Sequence, residues 1–349
     1  MELAAVRGRL RALGAKQAHE DHVLRRWLGR PAVRPDDDFL PRTVREALPA
    51  VETELSALAT LRADHSAADG SRRLVVGLAD GRTIEAVLLP RDGVCVSTQV
   101  GCAVGCGFCV TGTFGLERQL GSAEIAAQVA LARRLRPVDK VVFMGMGEPA
   151  HNLEAVLEAI ELFGTLGGIA HKKLVFSTVG DRRAFERLLA LPAGRVRPAL
   201  ALSLHTTDAG LRRRLLPRAP DIAPDELVAL GDAYVRATGY PMQVQWTLLD
   251  GVNDTAAEID GLVRLLHGRY AMLNLIPWNA VEGMPWSRPP AGRAQAMAEA
   301  LRRRGVLTTL RQSAGQDVEG GCGQLRARHE SPLRRRDVNR VDGASRAVT

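Results

Sequence analysis

Three closely spaced cysteines are the residues of this sequence whose types and spacing most directly indicate chemistry. Cys102, Cys106 and Cys109 are separated by three and then two residues, in a stretch rich in glycine. Such short loops can direct several thiolates to one inorganic centre, whereas three thiols cannot all pair as disulfides. A structural zinc site needs a fourth Cys or His nearby, and the next histidine downstream is His151. An iron–sulfur cluster accepts cysteine thiolates and can leave one iron open, so the spacing favours a cluster.

Two further cysteines lie outside this spacing. Cys95 precedes the three clustered cysteines, and Cys322 lies far along the chain in the segment GGCGQL. A lone cysteine is most often a small buried hydrophobic residue. The glycines on both sides of Cys322 instead indicate a mobile or tightly turned backbone, which can bring a thiol to a reaction centre.

The elements that must position these side chains follow the cysteines as alternating strands and helices. Six apolar runs alternate with six segments of helical periodicity; the runs are CVSTQV, KVVFMGM, KLVFST, ALALSLH, MQVQWTLL and MLNLIP. This alternation predicts an α/β fold with a parallel sheet. Glycine and polar residues at the carboxyl ends of the runs predict a site at one rim, as in barrels.

Motifs at the strand ends supply candidate binding groups. Gly145 and Gly147 lack side chains and permit close backbone approach, and Glu148 can accept a hydrogen bond from an ammonium group. Taken one at a time, Ser177 also fits a strand-end cap and His205 a satisfied core histidine. Their recurrence at successive strand ends favours a binding site.

A β-hairpin is predicted just before the cysteines. Asp80-Gly81 separates LVVGL from TIEAVLLP, and an Asp-Gly pair between β-rich runs is a hairpin signal. On the second strand, Glu85 shares a face with Val87 and Leu89. A carboxylate among apolar neighbours can act as a base, although position alone also fits a solvated strand glutamate.

The two ends of the chain differ in composition from its middle. Residues 1–70 read as short helices broken by prolines and predict a small accessory domain, followed by a larger domain at 71–325. Residues 326–349 are arginine-rich with few large apolar side chains, which predicts a basic disordered tail. The net charge of +8 favours a polyanionic partner. Neither a membrane span nor a signal-peptide core is evident, so we expect a cytoplasmic protein.

Six collinear motifs carry a family resemblance. They run from Glu85 to Leu325 and include VCVSTQVGCAVGCGFCVTG, VVFMGMGEP, LSLH, LDGVND, NLIPWN and CGQL. The cysteine spacing is the signature of radical S-adenosylmethionine (SAM) enzymes, and the whole set resembles the RlmN/Cfr family of RNA adenine methyltransferases. The resemblance implies a partial (β/α)6 TIM-like barrel, with a small helical N-terminal domain and a β-hairpin preceding the barrel.

The resemblance also implies roles for individual residues. The three clustered cysteines would hold a [4Fe–4S] cluster, and SAM would be the second cofactor. Cys322 would be methylated and carry the methyl group, Cys95 would release the RNA adduct by forming a disulfide with Cys322, and Glu85 would accept the ring proton. The implied SAM contacts are Gly147, Glu148, Ser177, Ser203, Leu204, His205 and Asn279.

The implied activity is methylation of carbon 2 or carbon 8 of adenine in ribosomal or transfer RNA. The implied partners are the structured RNA and an electron donor such as flavodoxin or ferredoxin, with the enzyme a monomer. One alternative is a radical SAM enzyme for a small molecule or peptide, which would need neither Cys95 nor Cys322. The other is a non-catalytic zinc-binding RNA module, which would need a fourth ligand.

Overall fold

Strands and helices alternate along most of this chain, whose computed structural model describes residues 1–31 and 37–326. The strands are β1 Thr60–Ser66, β2 Arg72–Gly77, β3 Thr83–Leu89, β4 Gly93–Cys95, β5 Gln99–Gly101, β6 Leu116–Gln119, β7 Lys140–Phe143, β8 Leu174–Thr178, β9 Ala199–Ser203, β10 Met242–Leu248, β11 Ala271–Pro277 and β12 Thr308–Leu310. The α-helices are α1 Leu3–Ala12, α2 Gln17–Trp27, α3 Arg42–Ala57, α4 Val110–Thr113, α5 Ser122–Leu135, α6 Leu153–Thr165, α7 Arg182–Leu189, α8 Ala209–Leu215, α9 Pro224–Thr238, α10 Ala256–Leu266 and α11 Ala291–Arg303. Short 3₁₀ helices cover Pro149–Asn152, His171–Lys173 and Gln316–Val318.

The main sheet contains ten of these strands, and their spatial order follows the chain: β1-β2-β3-β4-β7-β8-β9-β10-β11-β12. Strands β1 to β4 pair antiparallel, whereas β4 and β7 to β12 pair parallel. The sheet does not close, because β1 and β12 lie at its two edges. The predicted α/β fold with a partial barrel is confirmed, and β12 adds a short parallel strand that the sequence pattern did not indicate.

The first of the predicted parallel strands, CVSTQV, is divided between two sheets. Cys95 ends β4 in the main sheet, and Gln99 begins β5, which pairs antiparallel with β6 in a separate two-stranded sheet. The chain turns between these strands, where Ser97 accepts a hydrogen bond from the amide of Met146. This turn brings the segment that carries the cysteines over the carboxyl ends of the parallel strands.

The helices between the strands begin and end at local sequence signals. Asp181 caps α7 and Thr255 caps α10, each accepting a hydrogen bond from an amide in the first turn. Helix α9 begins with Pro224 and ends at Gly239, which adopts a left-handed φ of 75°. These capped helices cover the sheet on the face away from the cavity described below.

Strand β10 shows how the sheet separates its two faces. Val244, Trp246 and Leu248 are fully buried in the hydrophobic core. Gln245 and Thr247 alternate with them and line a cavity on the opposite face. The strand is therefore apolar towards the helices and polar towards the cavity.

The N-terminal region attaches to the main domain through both helices and a strand. As expected, helices occupy it as far as Ala57, but Thr60–Ser66 form β1, an unexpected edge strand paired with β2. The amide of Leu3 donates to the hydroxyl of Ser122 in α5 at 2.7 Å. The predicted tail lies outside the described residues except for Arg326. No helix in the described ranges is long and apolar enough to cross a membrane.

The predicted hairpin is formed by β2 and β3, which pair antiparallel. In its turn, Gly81 adopts a φ of 83°, and the Asp80 carboxylate accepts a hydrogen bond from the amide of Arg82 at 3.0 Å. Strand β3 then pairs with β4 and so places Glu85 one strand away from Cys95.

Candidate active site

A cavity of about 150 Å³ lies at the carboxyl ends of the parallel strands. Nine of the predicted site residues line it: Cys102, Cys106, Cys109, Gly147, Glu148, Ser177, Ser203, His205 and Cys322. They come from separate loops and strand ends, and the sheet order brings them together. Four others, Glu85, Cys95, Leu204 and Asn279, lie outside its lining.

The three clustered cysteines are partly buried in the wall of this cavity. Burial raises the pKa of the Cys102 thiol to about 12. The pKa of Cys106 is raised by burial and further by the nearby thiols of Cys109 and Cys102. Thiols that repel each other's charge in this way are suited to a positively charged inorganic centre, which deprotonates the sulfurs it binds.

The number of thiolates favours a cluster over a closed zinc site. A tetrahedral structural zinc site needs four protein ligands, and the cysteine loop supplies three thiolates to the cavity wall. An iron–sulfur cluster can be held by three thiolates and keep one iron open for another ligand. The donor set therefore fits an iron–sulfur cluster better than a closed zinc site.

Two tryptophans hold the backbone of the cysteine loop. The indole nitrogen of Trp286 donates to the carbonyl oxygen of Gly107 at 2.6 Å, and that of Trp278 donates to the carbonyl of Phe108 at 3.0 Å. Trp278 is buried in a small hydrophobic cluster beneath the loop. Both side chains thus fix the turn between the second and third clustered cysteines, a role that the sequence pattern did not indicate.

Glu148 is a buried carboxylate next to the thiols. Its two oxygens accept hydrogen bonds from the amides of Ala150 and Val179, both at 3.0 Å. Burial raises the pKa of Glu148, while these hydrogen bonds oppose the shift. The buried guanidinium of Arg212 donates to the carbonyl of Val179 and interacts electrostatically with both Glu148 and Cys106. The carboxylate is therefore held rigidly at the cavity wall, where an ammonium group can bind it.

His205 is held in a strained conformation at the end of β9. Its φ of 64° is unusual for a residue with a side chain. Asn253 donates to its carbonyl at 2.7 Å, and its Nδ1 accepts a hydrogen bond from the amide of Thr247 at 3.0 Å. Burial lowers the pKa of His205 to about 3. The ring is therefore neutral, with its hydrogen on Nε2, and offers a hydrogen-bond donor in the cavity wall.

The glycines after β7 allow the chain to pack closely on itself. A Cβ atom on Gly145 would lie 2.7 Å from the carbonyl oxygen of Val96, and one on Gly147 would lie 2.7 Å from the hydroxyl of Thr98. Gly147 also has a φ of 105°. The close approach that the sequence predicted is thus used within the protein, between this loop and the segment after β4.

Cys322 and Cys95 come from distant parts of the chain and lie close enough for their thiols to interact. Cys322 is exposed to the cavity, and desolvation by the surrounding protein raises its pKa, while a hydrogen bond with Ser313 opposes the shift. Burial raises the pKa of Cys95 far above its usual range, and the nearby Cys322 adds to this. Cys322 also interacts with Cys109. All five cysteines, which lie in the described ranges, are free.

Asn279 lies behind the cavity and positions the backbone of Cys322. Its Nδ2 donates to the carbonyl of Cys322 at 3.0 Å and to the hydroxyl of Ser313 at 2.8 Å. Its Oδ1 is buried without a partner among the described residues, and its role as a SAM contact stays a prediction. Leu204 contributes its side chain to the core, and its amide donates to the carbonyl of Gln245 at 3.1 Å.

The loop that carries Cys322 is joined directly to the cysteine loop. The amide of Val110 donates to the carbonyl of Gly323 at 2.8 Å, and the hydroxyl of Thr111 donates to the carbonyl of Leu325. Gly323 adopts a φ of 84° and packs against Cys109. These contacts fix the position of the Cys322 thiol relative to the three clustered cysteines.

Glu85 is fully buried, so the interpretation as a solvated strand glutamate is wrong. One carboxylate oxygen pairs with the guanidinium of Arg73, and the other accepts a hydrogen bond from the amide of Arg326 at 2.8 Å. Arg73 also donates to the carbonyl of Val318 at 2.5 Å. Glu85 thus lies at the base of the segment that carries Cys322, and its role as proton acceptor stays a prediction.

The sequence also contained a signal that motif reasoning missed. In MQVQWTL, polar residues alternate with apolar ones, although a strand inside a parallel sheet is usually apolar on both faces. Gln245 is the member of this polar series that is buried in the cavity wall. Such a pattern indicates a strand with one face towards a polar ligand.

A second cavity, of about 230 Å³, lies between α1, α6 and α7. Four of its charged side chains pair with each other, since Arg187 contacts Glu154 and Arg195 contacts Glu161. None of its lining residues is a cysteine or histidine. The smaller cavity at the strand ends is therefore the candidate active site.

Comparisons with known proteins identify the family to which the chain is similar. Residues 96–263 match the radical SAM superfamily. The chain is 68% identical over 331 residues to a probable RNA methyltransferase of Methylibium petroleiphilum, covering 94% of this chain and 93% of the relative. It is 67% identical over 324 residues to a probable RNA methyltransferase of an Azoarcus species, covering 92% of each. A solved radical SAM methyltransferase from Sphaerobacter thermophilus matches with a TM-score of 0.80 and 34% identity, covering 94% of this chain and 98% of that one.

Proposed function

Because the chain belongs to the radical SAM superfamily, we propose that it is an RNA methyltransferase of the RlmN/Cfr type, which methylates carbon 2 or carbon 8 of an adenine in ribosomal or transfer RNA. Its curated relatives are named probable RNA methyltransferases, and the chain covers nearly their whole length. The net charge of +8 supports a polyanionic substrate.

The observation that carries the proposal is the position of Cys322. This thiol is exposed in the same cavity as the three clustered cysteines and lies near the buried Cys95. A radical SAM enzyme acting on a small molecule or peptide needs neither of these two thiols. Their proximity therefore favours a methyl carrier with a partner thiol over that alternative.

The superfamily uses a [4Fe–4S] cluster and SAM, and the cavity contains a donor set that fits the cluster. Cys102, Cys106 and Cys109 would hold it through their thiolates, with the loop backbone fixed by Trp278 and Trp286. When bound, the cluster supplies the electron that cleaves SAM and starts radical chemistry, which an unreactive ring carbon requires.

The cavity wall offers suitable contacts for SAM. Glu148 would accept a hydrogen bond from the ammonium group of the methionine part of SAM, and Gly147, which lines the cavity, would contribute its backbone. Ser177 and Ser203 offer hydroxyl groups, and neutral His205 offers its Nε2 hydrogen. The family resemblance also implies contacts from Leu204 and Asn279. Leu204 would contribute only backbone groups, because its side chain is buried in the core. Asn279 would contribute its Oδ1, which has no partner among the described residues.

The remaining steps fall to Cys322, Cys95 and Glu85. Cys322 would take a methyl group from one SAM onto its sulfur, which yields S-methylcysteine and releases S-adenosylhomocysteine. After the 5′-deoxyadenosyl fragment of a second SAM removes a hydrogen atom from this methyl group, the carbon would bond to the adenine ring; Glu85 would then accept the ring proton, while the surplus electron returns to the cluster. The thiolate of Cys95 would attack the sulfur of Cys322 and break its bond to the carbon, so that the methylated RNA leaves after it takes up one proton. Cys95 needs to deprotonate for this step, and its burial means that RNA binding or a proton acceptor must assist it.

Paired cysteine variants test this proposal. Anaerobically reconstituted Cys322→Ala should bind SAM but transfer no methyl group to RNA, because the carrier sulfur is absent. Cys95→Ala should instead accumulate RNA covalently attached to the protein, visible as a shifted band on a denaturing gel. Turnover in both variants would contradict the mechanism.

The target position requires a separate measurement. Total RNA from a deletion strain should lack one methyladenosine that the parent strain contains, and mass spectrometry of digested RNA should identify carbon 2 or carbon 8. A complemented strain provides the control. Identical RNA modification in both strains would contradict the assignment of an RNA substrate.

A further inference from the structure

Two buried amide side chains on the cavity face of the sheet have no role in the steps above. Gln245 in β10 pairs in register with Ser203 in β9 and with Asn274 in β11, so the three side chains share a face. Gln245 is only 5% exposed and Asn274 only 1%. Their amide nitrogens, Nε2 of Gln245 and Nδ2 of Asn274, have no hydrogen-bond partner among the described residues.

Unpartnered amides in these positions are costly to the protein. A buried donor without an acceptor destabilises the folded state, because it has lost its hydrogen bonds to water and gained none in the protein. Methionine or leucine would occupy about the same volume without this penalty. The other face of the strand carries such apolar side chains, among them Val244 and Trp246. Gln245 also lines the cavity itself, as Ser203 and Thr247 do. The free Nε2 donor therefore points to a ligand with an acceptor atom.

The chemistry of the cavity decides which part of a ligand meets this donor. Glu148, beside the thiols, is the acceptor suited to an ammonium group, which assigns the amino-acid end of SAM to that wall. Gln245 lies on a different wall, in register with Ser203. Two residues further along the strand, the amide of Thr247 donates a hydrogen bond to Nδ1 of His205. Ribose hydroxyls and adenine ring nitrogens are acceptors and make up the other end of SAM.

We propose that Gln245 is a SAM-binding residue that donates its Nε2 hydrogen to an acceptor of the nucleoside half of SAM. Asn274 supports it from the next strand, with its own Oδ1 fixed by the hydroxyl of Thr309 at 2.7 Å. The inference rests on the proposed function only in taking SAM as the ligand. It does not depend on the identity of the RNA.

The test compares Gln245→Met with Gln243→Met in cluster-loaded protein. Gln243 is the same residue type on the same face of β10, but it is half-buried and does not line the cavity. Equilibrium dialysis would measure binding of SAM, 5′-methylthioadenosine and methionine. We expect Gln245→Met to weaken SAM and 5′-methylthioadenosine binding about five- to tenfold, as for one lost hydrogen bond, and to leave methionine binding unchanged. Gln243→Met should bind all three like the wild type.

Thermal unfolding without SAM provides a second readout. Gln245→Met removes an unpartnered donor, so its melting temperature should equal or exceed that of the wild type, and SAM should stabilise it less. A lower melting temperature would assign Gln245 a structural role instead. Unchanged binding of 5′-methylthioadenosine, or equal weakening by Gln243→Met, would also overturn the inference while leaving the proposed function intact. Failure of the wild type to bind SAM would overturn both.

Discussion

Replacing Arg73 by methionine is expected to destabilise the protein strongly. Its guanidinium pairs with Glu85, which is completely buried, and donates to the carbonyl of Val318. Methionine keeps much of the apolar length of arginine but leaves the carboxylate buried without its counter-charge. Removing one partner of a buried ion pair destabilises a protein by about 3–5 kcal/mol, more than the pair itself contributes.

This free energy converts into a measurable change in melting temperature. Unfolding entropies of about 2.1 cal/mol/K per residue give roughly 0.7 kcal/mol/K for a structured region of about 320 residues. A loss of about 3–5 kcal/mol therefore lowers the melting temperature by about 4–7 °C. Arg42→Met is the matched control, because Arg42 forms an ion pair with Glu46 on the exposed surface of α3. Such pairs contribute about 0–1 kcal/mol.

The double variant Arg73→Met/Glu85→Gln separates charge from packing. Glutamine is neutral and can still accept the hydrogen bond from the amide of Arg326, so the double variant should be more stable than Arg73→Met alone. Differential scanning calorimetry of anaerobic, cluster-loaded protein would measure all four proteins. The reasoning is refuted if Arg73→Met shifts the melting temperature no more than Arg42→Met, or if the second substitution lowers it further.

Three other predictions concern the site itself. Alanine at any one of the three clustered cysteines should abolish both the broad visible absorbance and SAM cleavage; a variant with full iron content and normal cleavage would contradict the ligand assignment. His205 takes up a proton near pH 6.5 in the unfolded chain but only near pH 3 in the folded protein. Below about pH 6 the unfolded chain therefore binds one more proton, and the free energy of unfolding should fall by up to about 1.4 kcal/mol for each pH unit. His205→Gln should lose this part of the pH dependence in denaturant titrations, and equal slopes would count against a buried neutral ring. Trp286→Phe removes the hydrogen bond to the carbonyl of Gly107 and should speed iron loss to a chelator about fivefold. Trp246→Phe, on the opposite face of the sheet, should not change this rate. Equal rates for the two variants would argue against a role of Trp286 in holding the cysteine loop.

The features that the sequence determined by itself are local ones. Helices α5, α6, α7, α9, α10 and α11 and strands β7 to β11 follow from periodicity and capping within short windows. The thiolate set follows in the same way, because three cysteines within eight positions share one loop whatever the rest of the chain does. Asp80-Gly81 likewise predicts its own hairpin, because the turn requires only the residues in it.

The features that only the tertiary structure decided depend on contacts between distant segments. The tertiary structure brings Cys322 within electrostatic range of Cys95, pairs Glu85 with Arg73 and Arg326, and leaves the amide nitrogen of Gln245 without a partner in the cavity wall. The alternation of polar and apolar residues in MQVQWTL is visible in the sequence. Which face of this strand packs against the helices, however, depends on the neighbouring strands. A strand pattern specifies two faces, and only packing determines which of them is the core and which is the site.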